Sequence, residues 1–183
     1  MSRLDAEAIR GALGNCTIGR EIIVLEETTS TNDSIFQRAT STTPEGLVVL
    51  AERQTAGRGQ RSNRWESAAR KGLWFSILLR PKIDIADSPR LTAWAAEMVA
   101  QTIRDEFSMS PTVKPPNDVL IDGRKVAGVM VEMRAQSNAP HLGIAGIGIN
   151  VNQALNDFPA ELQESAISLA MALNRQIDRA WSY

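Results

Sequence analysis

Residues 113–132 read VKPPNDVLIDGRKVAGVMVE, and the other predicted strands are best placed from this stretch. Asp122-Gly123 lies between two apolar runs, which is the strongest short-range signal for a β-hairpin. The two prolines that follow Lys114 impose an extended backbone and end strand pairing there. Ala127-Gly128 removes large side chains from the returning strand, as happens where another group approaches the backbone closely. Taken alone, Lys114 and Lys125 are typical solvated charges beside such a hairpin.

Further apolar runs predict strands over residues 22–25, 47–51, 72–79 and 142–152. In the last of these, Gly146 and Gly148 share one face, which is therefore bare backbone. Either another strand packs tightly on that face, or a ligand lies against it. Asn150 and Asn152 at the end of the run are available to donate or accept hydrogen bonds.

Helical spacing of apolar residues predicts helices within residues 1–20, after Ser30-Thr31, after Ser88-Pro89 and over residues 161–174. Ser30 or Thr31 is the expected N-cap of the second helix, with Asp33 in its first turn. The free N–H groups at that helix start are also suited to a ligand.

The helix after Ser88 is expected to use Ser88 as its N-cap and Pro89 as its first residue. Trp94 and Met98 fall on its predicted apolar face, so we expect both to be packing residues. Strands paired as hairpins with helices set around them indicate an α+β domain whose sheet is covered by helices on one side.

A glycine-rich basic loop follows the strand at 47–51, and residues 54–65 (QTAGRGQRSNRW) are called the Gly–Arg loop below. Glycine lets the backbone come close to a ligand, and arginine offers a planar fork of donors for carboxylate and phosphate. The loop therefore suits a ligand that is part anion and part apolar. A solvated basic loop is the alternative interpretation.

The composition of the chain narrows the kinds of function that it can have. The 183 residues fit one domain. With 20 Lys+Arg against 21 Asp+Glu the net charge is −1, so the overall charge gives no indication of binding to nucleic acid or to an anionic membrane. The single cysteine, Cys16, excludes an internal disulfide and is typical of a reducing compartment. The start of the chain lacks a signal-peptide apolar region, so we expect a cytoplasmic protein without a membrane span.

The single histidine, His141, excludes a zinc site of the common His/Cys kind. A Ser-His-Asp triad would have to use that one residue, and a Cys-His pair would need it to meet Cys16. We therefore expect chemistry based on Arg, Lys, Asn, Asp and backbone amides, which act by positioning and electrostatic stabilisation.

Five motifs together resemble the catalytic domain of the biotin protein ligases. They are residues 30–32 (STN), 54–65, 114–118 (KPPND), 123–128 (GRKVAG) and 146–152 (GIGINVN). They occur in the family's order and approximate spacing over about residues 20 to 175. The resemblance implies one domain over residues 1–183, with a fold like that of class II aminoacyl-tRNA synthetases: a mixed, mostly antiparallel sheet covered by helices.

The resemblance also implies the activity. Biotin would be activated by MgATP as biotinyl-5′-AMP and then transferred to a lysine of a biotin carboxyl carrier protein domain, as in acetyl-CoA carboxylase. It implies ATP, Mg²⁺ and biotin as the small molecules, with no zinc, haem or flavin, and no DNA or membrane partner. The oligomeric state, including a homodimer, and the acceptor protein stay open.

Site residues are carried over from the matching motif positions. The implied biotin site comprises Ser30, Thr31, Asn32, Gln54, Gly57, Arg58, Gly59, Lys125, Gly128 and Gly146. The implied nucleotide site comprises Arg58, Gln60, Arg61, Trp65, Lys114, Asn117 and Asn150. Lys125 and Arg58 are the implied catalytic residues, with Lys125 at the carboxylate–phosphate junction, and Asp118 is the implied magnesium neighbour.

The chain departs from the family at Pro115, where tryptophan is usual, at Gln60, where arginine is frequent, and at Ser62, where glycine is usual. The usual N-terminal winged helix and small C-terminal β-barrel are not found in these residues, so we expect no repressor role and a truncated C-terminal part. Two alternatives stay open: a lipoate or octanoyl transferase of the same fold, and a biotin- or adenylate-binding protein with weakened catalysis.

Overall fold

A computed structural model describes residues 3–60, 63–136 and 140–179. Its strands are β1 Glu21–Leu25, β2 Leu47–Ala51, β3 Gly72–Leu79, β4 Thr112–Lys114, β5 Asp118–Ile121, β6 Arg124–Arg134 and β7 Leu142–Asn150. They form one sheet in the order β1-β2-β3-β7-β6-β5-β4. The α-helices are α1 Ala6–Leu13, α2 Thr31–Arg38, α3 Ser88–Phe107 and α4 Leu169–Leu173, with 3₁₀ turns at Ile85–Asp87, Leu155–Asp157 and Ala160–Leu162. No helix among these residues is both long and apolar enough to cross a bilayer.

The hairpin predicted at Asp122-Gly123 is confirmed. Both residues have positive φ, 50° and 73°, which is the geometry of the two-residue turn that matches strand twist. The turn joins β5 to β6, and the other strands meet their neighbours antiparallel except for β1 and β2, which run parallel. The α+β class with a mixed, mostly antiparallel sheet is therefore confirmed.

Helices lie on both faces of the sheet, so the expectation of a single covered side is wrong. Every residue of β2 is buried. Leu47 and Val49 pack with Ile35 of α2, whereas the alternate residues Val48 and Leu50 pack in the cluster that contains Ile9 of α1. A strand that is apolar at every position buries both of its faces, which the run at 47–51 already indicated.

Helix α3 begins at Ser88, one residue earlier than predicted, and Asp87 occupies the N-cap position. Its buried stripe contains small residues such as Ala95, Ala96 and Ala100, which let the helix approach the sheet closely. Trp94 and Met98 are 61% and 41% exposed, so the prediction that they pack in the core is wrong.

The C-terminal prediction of one helix over residues 161–174 is also wrong. Only Leu169–Leu173 forms an α-helix. The preceding residues extend along the start of β6, where Lys125 N donates to Ser165 O at 2.7 Å and Ile167 N donates to Lys125 O at 3.0 Å. The predicted helix at the N-terminus is confirmed as α1, and Gly14 follows its last residue with a φ of 63°.

Candidate active site

A cavity of about 270 Å³ lies over β6 and β7, between the start of α2, the Gly–Arg loop and residues 114–118. It collects the predicted residues Ser30, Thr31, Asn32, Gln54, Arg58, Gly59, Gln60, Trp65, Lys114, Asn117, Asp118, Lys125, Gly128 and Gly146. Gly57 and Asn150 do not line this cavity. Arg61 and Ser62 lie outside the described residues. The five motifs therefore converge on one site.

Glycines of β6 and β7 form the floor of this cavity. Gly128 and Gly148 are paired across the two strands. A Cβ atom at Gly148 would lie 2.4 Å from the ring of Trp65, and one at Gly146 would lie 2.3 Å from Asn32 Oδ1. The predicted bare face is thus real, and side chains from the Gly–Arg loop and α2 lie directly on it.

Lys125 is held at the edge of this floor. Its Nζ lies 2.6 Å from Asp118 Oδ1 and 5.2 Å from the centroid of the Trp65 ring. The Lys125 side chain is 33% exposed, so its ammonium is partly desolvated but reachable from the cavity. An ion pair and a cation–π contact on two sides fix a positive charge in one place, as stabilisation of a developing anion requires.

Polar side chains from three elements form a continuous network on the α2 side. Gln54 Oε1 accepts from Thr31 N at 2.8 Å and from Thr31 Oγ1 at 3.1 Å. Ser76 Oγ of β3 lies 2.7 Å from Thr31 Oγ1 and 2.5 Å from Asn32 Oδ1. These groups are buried or nearly so, and their mutual hydrogen bonds satisfy them while fixing their orientation toward the cavity.

Two carboxylates bind Arg58, which lies on the first arm of the Gly–Arg loop and is paired with Arg64 on the second arm. The part of the loop around this Arg58–Arg64 pair is called the loop tip below. Arg58 Nη2 lies 2.7 Å from Asp33 Oδ1 and 2.9 Å from Glu132 Oε2, and its Nη1 donates to Glu132 Oε1 at 3.2 Å. Glu132 was missed by the sequence reasoning, although its signal was present. Residues Gly128, Met130 and Glu132 alternate along β6, so the strand period places all three on the cavity face.

The backbone of the Gly–Arg loop is itself hydrogen-bonded. Trp65 N donates to Gly57 O at 2.9 Å, and a Cβ atom at Gly57 would lie 2.6 Å from Trp65 O. Gly59 N donates to Asn63 O at 2.7 Å. Glycine at 57 therefore permits the two arms of the loop to meet, which a simple solvated loop would not require.

Asn150 acts on the site through the backbone. Its Nδ2 donates to Lys125 O and to Ile167 O at 3.3 and 3.2 Å, and its Oδ1 accepts from Gln153 at 2.9 Å. Those bonds hold the main chain that carries Lys125. A direct contact of Asn150 with a nucleotide stays a prediction. Asn150 also lines a neighbouring cavity of about 440 Å³, together with Phe158 and Leu162.

Among residues 3–60, 63–136 and 140–179, no group of three or more His, Cys, Asp or Glu side chains is arranged to hold a metal ion. Asp118 is the carboxylate that lines the cavity beside Lys114 and Lys125. Mg²⁺ commonly binds through one or two carboxylates together with substrate phosphates and water, so this donor set fits a metal that arrives with a nucleotide.

Comparison with known proteins identifies relatives of this chain. Residues 24–150 match the biotin/lipoate A/B protein ligase family. The chain is 41% identical over 97% of its length to the bifunctional ligase/repressor BirA of Bacillus subtilis, covering 55% of that protein. It is 33% identical over 91% of its length to the biotin–[acetyl-CoA-carboxylase] ligase of Mycobacterium tuberculosis, covering 61% of that protein. The chain thus spans little more than half the length of these relatives.

A solved structure agrees with these sequence matches. The biotin protein ligase of Aquifex aeolicus, in complex with biotin and ATP, superimposes with a TM-score of 0.71 and 31% identity. The match covers 87% of this chain and 64% of the other. This structural match confirms the fold expected from the resemblance, which is like that of the class II aminoacyl-tRNA synthetases.

Proposed function

The chain belongs to the biotin/lipoate A/B protein ligase family, and on that basis we propose that its cavity joins biotin to AMP and passes the biotinyl group to a protein lysine. In the first step a carboxylate oxygen of biotin bonds to the α-phosphorus of ATP. The bond from that phosphorus to the bridging oxygen breaks, and pyrophosphate leaves with its electron pair. In the second step the neutral amine of a lysine bonds to the carbonyl carbon of the mixed anhydride and loses a proton to water. The bond from that carbon to the phosphate oxygen breaks, and AMP leaves with the electron pair.

The position of Lys125 carries this proposal. Its ammonium lies between Asp118 and Trp65, and its side chain lies over the bare backbone of Gly128. The attack of a carboxylate on a phosphate brings two anions together, and a fixed cation at their junction lowers that repulsion. Phosphoryl transfer depends almost entirely on such positioning and charge stabilisation.

The polar wall of the cavity suits the head of biotin. The ureido group of biotin has both donors and an acceptor, and Ser30, Thr31 and Gln54 offer hydroxyl and amide groups of both kinds. Trp65 and the glycine floor offer apolar surface to the rest of the bicycle. The M. tuberculosis relative and the A. aeolicus structure, both named as biotin ligases, support biotin over lipoate as the acid, although the family name includes lipoate ligases.

Lys114, Asn117 and Asp118 line the nucleotide side in this proposal. Asp118 would hold the Mg²⁺ that accompanies ATP, which neutralises phosphate charge. The acceptor is proposed to be a biotin carboxyl carrier domain, as the name of the M. tuberculosis relative suggests. Free Cys16 on the surface is consistent with a reducing compartment, and we propose the cytoplasm.

The test measures biotin-dependent release of pyrophosphate from MgATP by the wild-type chain and by Lys125→Ala. We expect a loss of about 10²- to 10³-fold in the variant, the size seen when one electrostatic donor to a transition state is removed. Lys82→Ala, which changes an exposed lysine, is the matched control and should retain wild-type turnover. Undiminished pyrophosphate release by Lys125→Ala would contradict the assigned role.

A further inference from the structure

One side chain outside the predicted site connects the loop tip to the polar wall of the cavity. Glu132 lies on β6, opposite Ile144 of β7. Its Oε2 accepts from Asn32 Nδ2 at 2.6 Å and from Arg58 Nη2 at 2.9 Å, while Oε1 accepts from Arg58 Nη1 at 3.2 Å. A single carboxylate therefore binds residues from α2 and from the Gly–Arg loop at the same time.

We infer that Glu132 is a positioning residue that holds Arg58, and with it the paired arms of the Gly–Arg loop at Arg58 and Arg64, over the cavity. The inference rests on the proposed function only for its effect on the reaction. Its structural part, that Glu132 sets the position of the loop, stands on the contacts alone.

The geometry favours Glu132 over the other carboxylate as the main anchor. Glu132 binds the guanidinium with both oxygens, and paired N–H···O bonds of this kind fix orientation as well as distance. Asp33 offers Arg58 one contact of 2.7 Å and is more exposed than Glu132, at 40% against 27%. The pair is nevertheless partly solvated, so it can open without a large penalty.

The network also connects the anchor to the polar wall. Asn32, which donates to Glu132, accepts from Ser76, and Ser76 contacts Thr31. A ligand that binds to Thr31 or Asn32 therefore reaches the loop tip through consecutive hydrogen bonds. The position of the loop and the occupation of the wall are coupled in this arrangement, and Glu132 is the residue where they meet.

The structural test is hydrogen–deuterium exchange of the peptide that covers residues 57–65, where Gly59 and Trp65 donate backbone hydrogen bonds within the loop. Glu132→Gln keeps the size and the acceptor for Asn32 but removes the charge that binds Arg58. We expect exchange about two- to fivefold faster than in the wild type, which corresponds to a partly exposed ion pair. Glu132→Asp keeps the charge, so its exchange rate should lie between that of the wild type and that of Glu132→Gln.

A double variant and a control make the result specific. If Glu132 acts through Arg58, Glu132→Gln combined with Arg58→Gln should exchange no faster than Arg58→Gln alone. Glu27→Gln, which removes the exposed partner of Arg53 at 3.0 Å, should leave exchange of the loop unchanged. Unchanged exchange in Glu132→Gln, or additive effects in the double variant, would overturn the inference.

Kinetics separates this role from a general structural one. Glu132→Gln should raise KM for biotin by a factor similar to the gain in exchange, with kcat of adenylate formation within about twofold of wild type. A variant that was merely misfolded would lose kcat with unchanged KM, and that result would contradict a positioning role. If the wild-type chain forms no adenylate at all, the proposed function fails, whereas the exchange result still decides the role of Glu132.

Discussion

Two arginine–glutamate pairs hold the Gly–Arg loop, one at its root and one at its tip, and they differ mainly in burial. At the root, Arg179 Nη1 lies 2.6 Å from Glu52 Oε2, with side chains that are 1% and 3% exposed. Arg179 also donates to Gly72 O at 3.3 Å, so it binds the chain on both sides of the loop. At the tip, Arg58 and Glu132 are 40% and 27% exposed.

Because the two pairs differ in burial, we expect them to differ in how easily they open. A buried ion pair cannot be opened without leaving an uncompensated charge in a region of low dielectric, so the root is rigid. A partly exposed pair exchanges its partners for water at little cost, so the tip can respond to a ligand. We therefore expect the pair at the root to be hard to break and the pair at the tip to be easy to break. Each of the following changes tests that contrast.

The largest expected effect comes from breaking the root pair. Arg179→Met leaves the buried Glu52 carboxylate without its cation and should lower the free energy of unfolding by about 3–5 kcal/mol. The measurement is the urea midpoint at constant m-value. Arg53→Met, which breaks an exposed pair with Glu27, is the matched control and should change stability little. A loss of under about 1 kcal/mol in Arg179→Met would erase the contrast between root and tip.

The next effect comes from the apolar contact that also holds the loop. Gly148→Ala would place a Cβ atom 2.4 Å from the Trp65 ring and force that ring off the floor. We expect a cost of about 1–3 kcal/mol from overpacking, with a shift in tryptophan fluorescence as the ring becomes exposed. Gly11→Ala in α1, where a Cβ atom would meet nothing within 4 Å, is the control. Unchanged fluorescence in Gly148→Ala would mean that Trp65 does not rest on this floor.

An ion pair of intermediate burial tests the contrast through pH. Lys71 Nζ lies 2.7 Å from Asp157 Oδ2, with side chains 33% and 23% exposed. Burial by itself would raise the pKa of Asp157, but hydrogen bonds from Lys71 and from Ala154 N outweigh it and leave the pKa below its ordinary value of 3.8. The resulting stabilisation is complete above pH 3.8 and is lost as pH falls through the lowered pKa.

Lys71→Met should therefore cost about 1 kcal/mol at pH 7, measured as the difference in unfolding free energy from wild type. That difference should shrink as the pH is lowered beneath 3.8. The Asp157 carboxyl of the wild type then becomes neutral, so its ion pair with Lys71 no longer contributes to stability. A difference that stays constant down to pH 2 would show that the pair does not lower the pKa of Asp157.

The smallest effect on stability is expected at the tip. Glu132→Gln should change the unfolding free energy by less than about 0.5 kcal/mol, because the pair it breaks is partly solvated and surface pairs contribute little. The same urea midpoint measures it. A destabilisation as large as that of Arg179→Met would mean that the tip pair stabilises the fold as strongly as the root pair, which would contradict the expected contrast.

The sequence predicted best where short-range chemistry determines the backbone. Asp122-Gly123 specifies its turn locally, and the alternation of Gly146 and Gly148 specifies a bare strand face. The motif resemblance then located most of the cavity, because the matched positions lie on elements whose order in the chain fixes their place in the sheet.

The failures occurred where long-range packing decides. Residues 161–174 have apolar residues at helical spacing, but Ser165 and Ile167 within them pair through the backbone with Lys125 on β6, about 40 positions earlier in the chain. Trp94 was placed on the buried face of α3, whereas that face consists of smaller residues, namely Thr92, Ala95, Ala96, Val99, Ala100 and Ile103. The contact between Glu52 and Arg179 joins residues 127 positions apart, and neither residue carries a local signal of its partner.

The most direct test of the account is mass spectrometry of the nucleotide products formed when the 183-residue chain is incubated with MgATP and equal amounts of biotin, lipoate and octanoate. The account predicts biotinyl-5′-AMP as the dominant adenylate, with pyrophosphate in equal amount, and its loss in Lys125→Ala. A lipoyl or octanoyl adenylate in its place, or no adenylate from a folded chain that retains its loop, would contradict it.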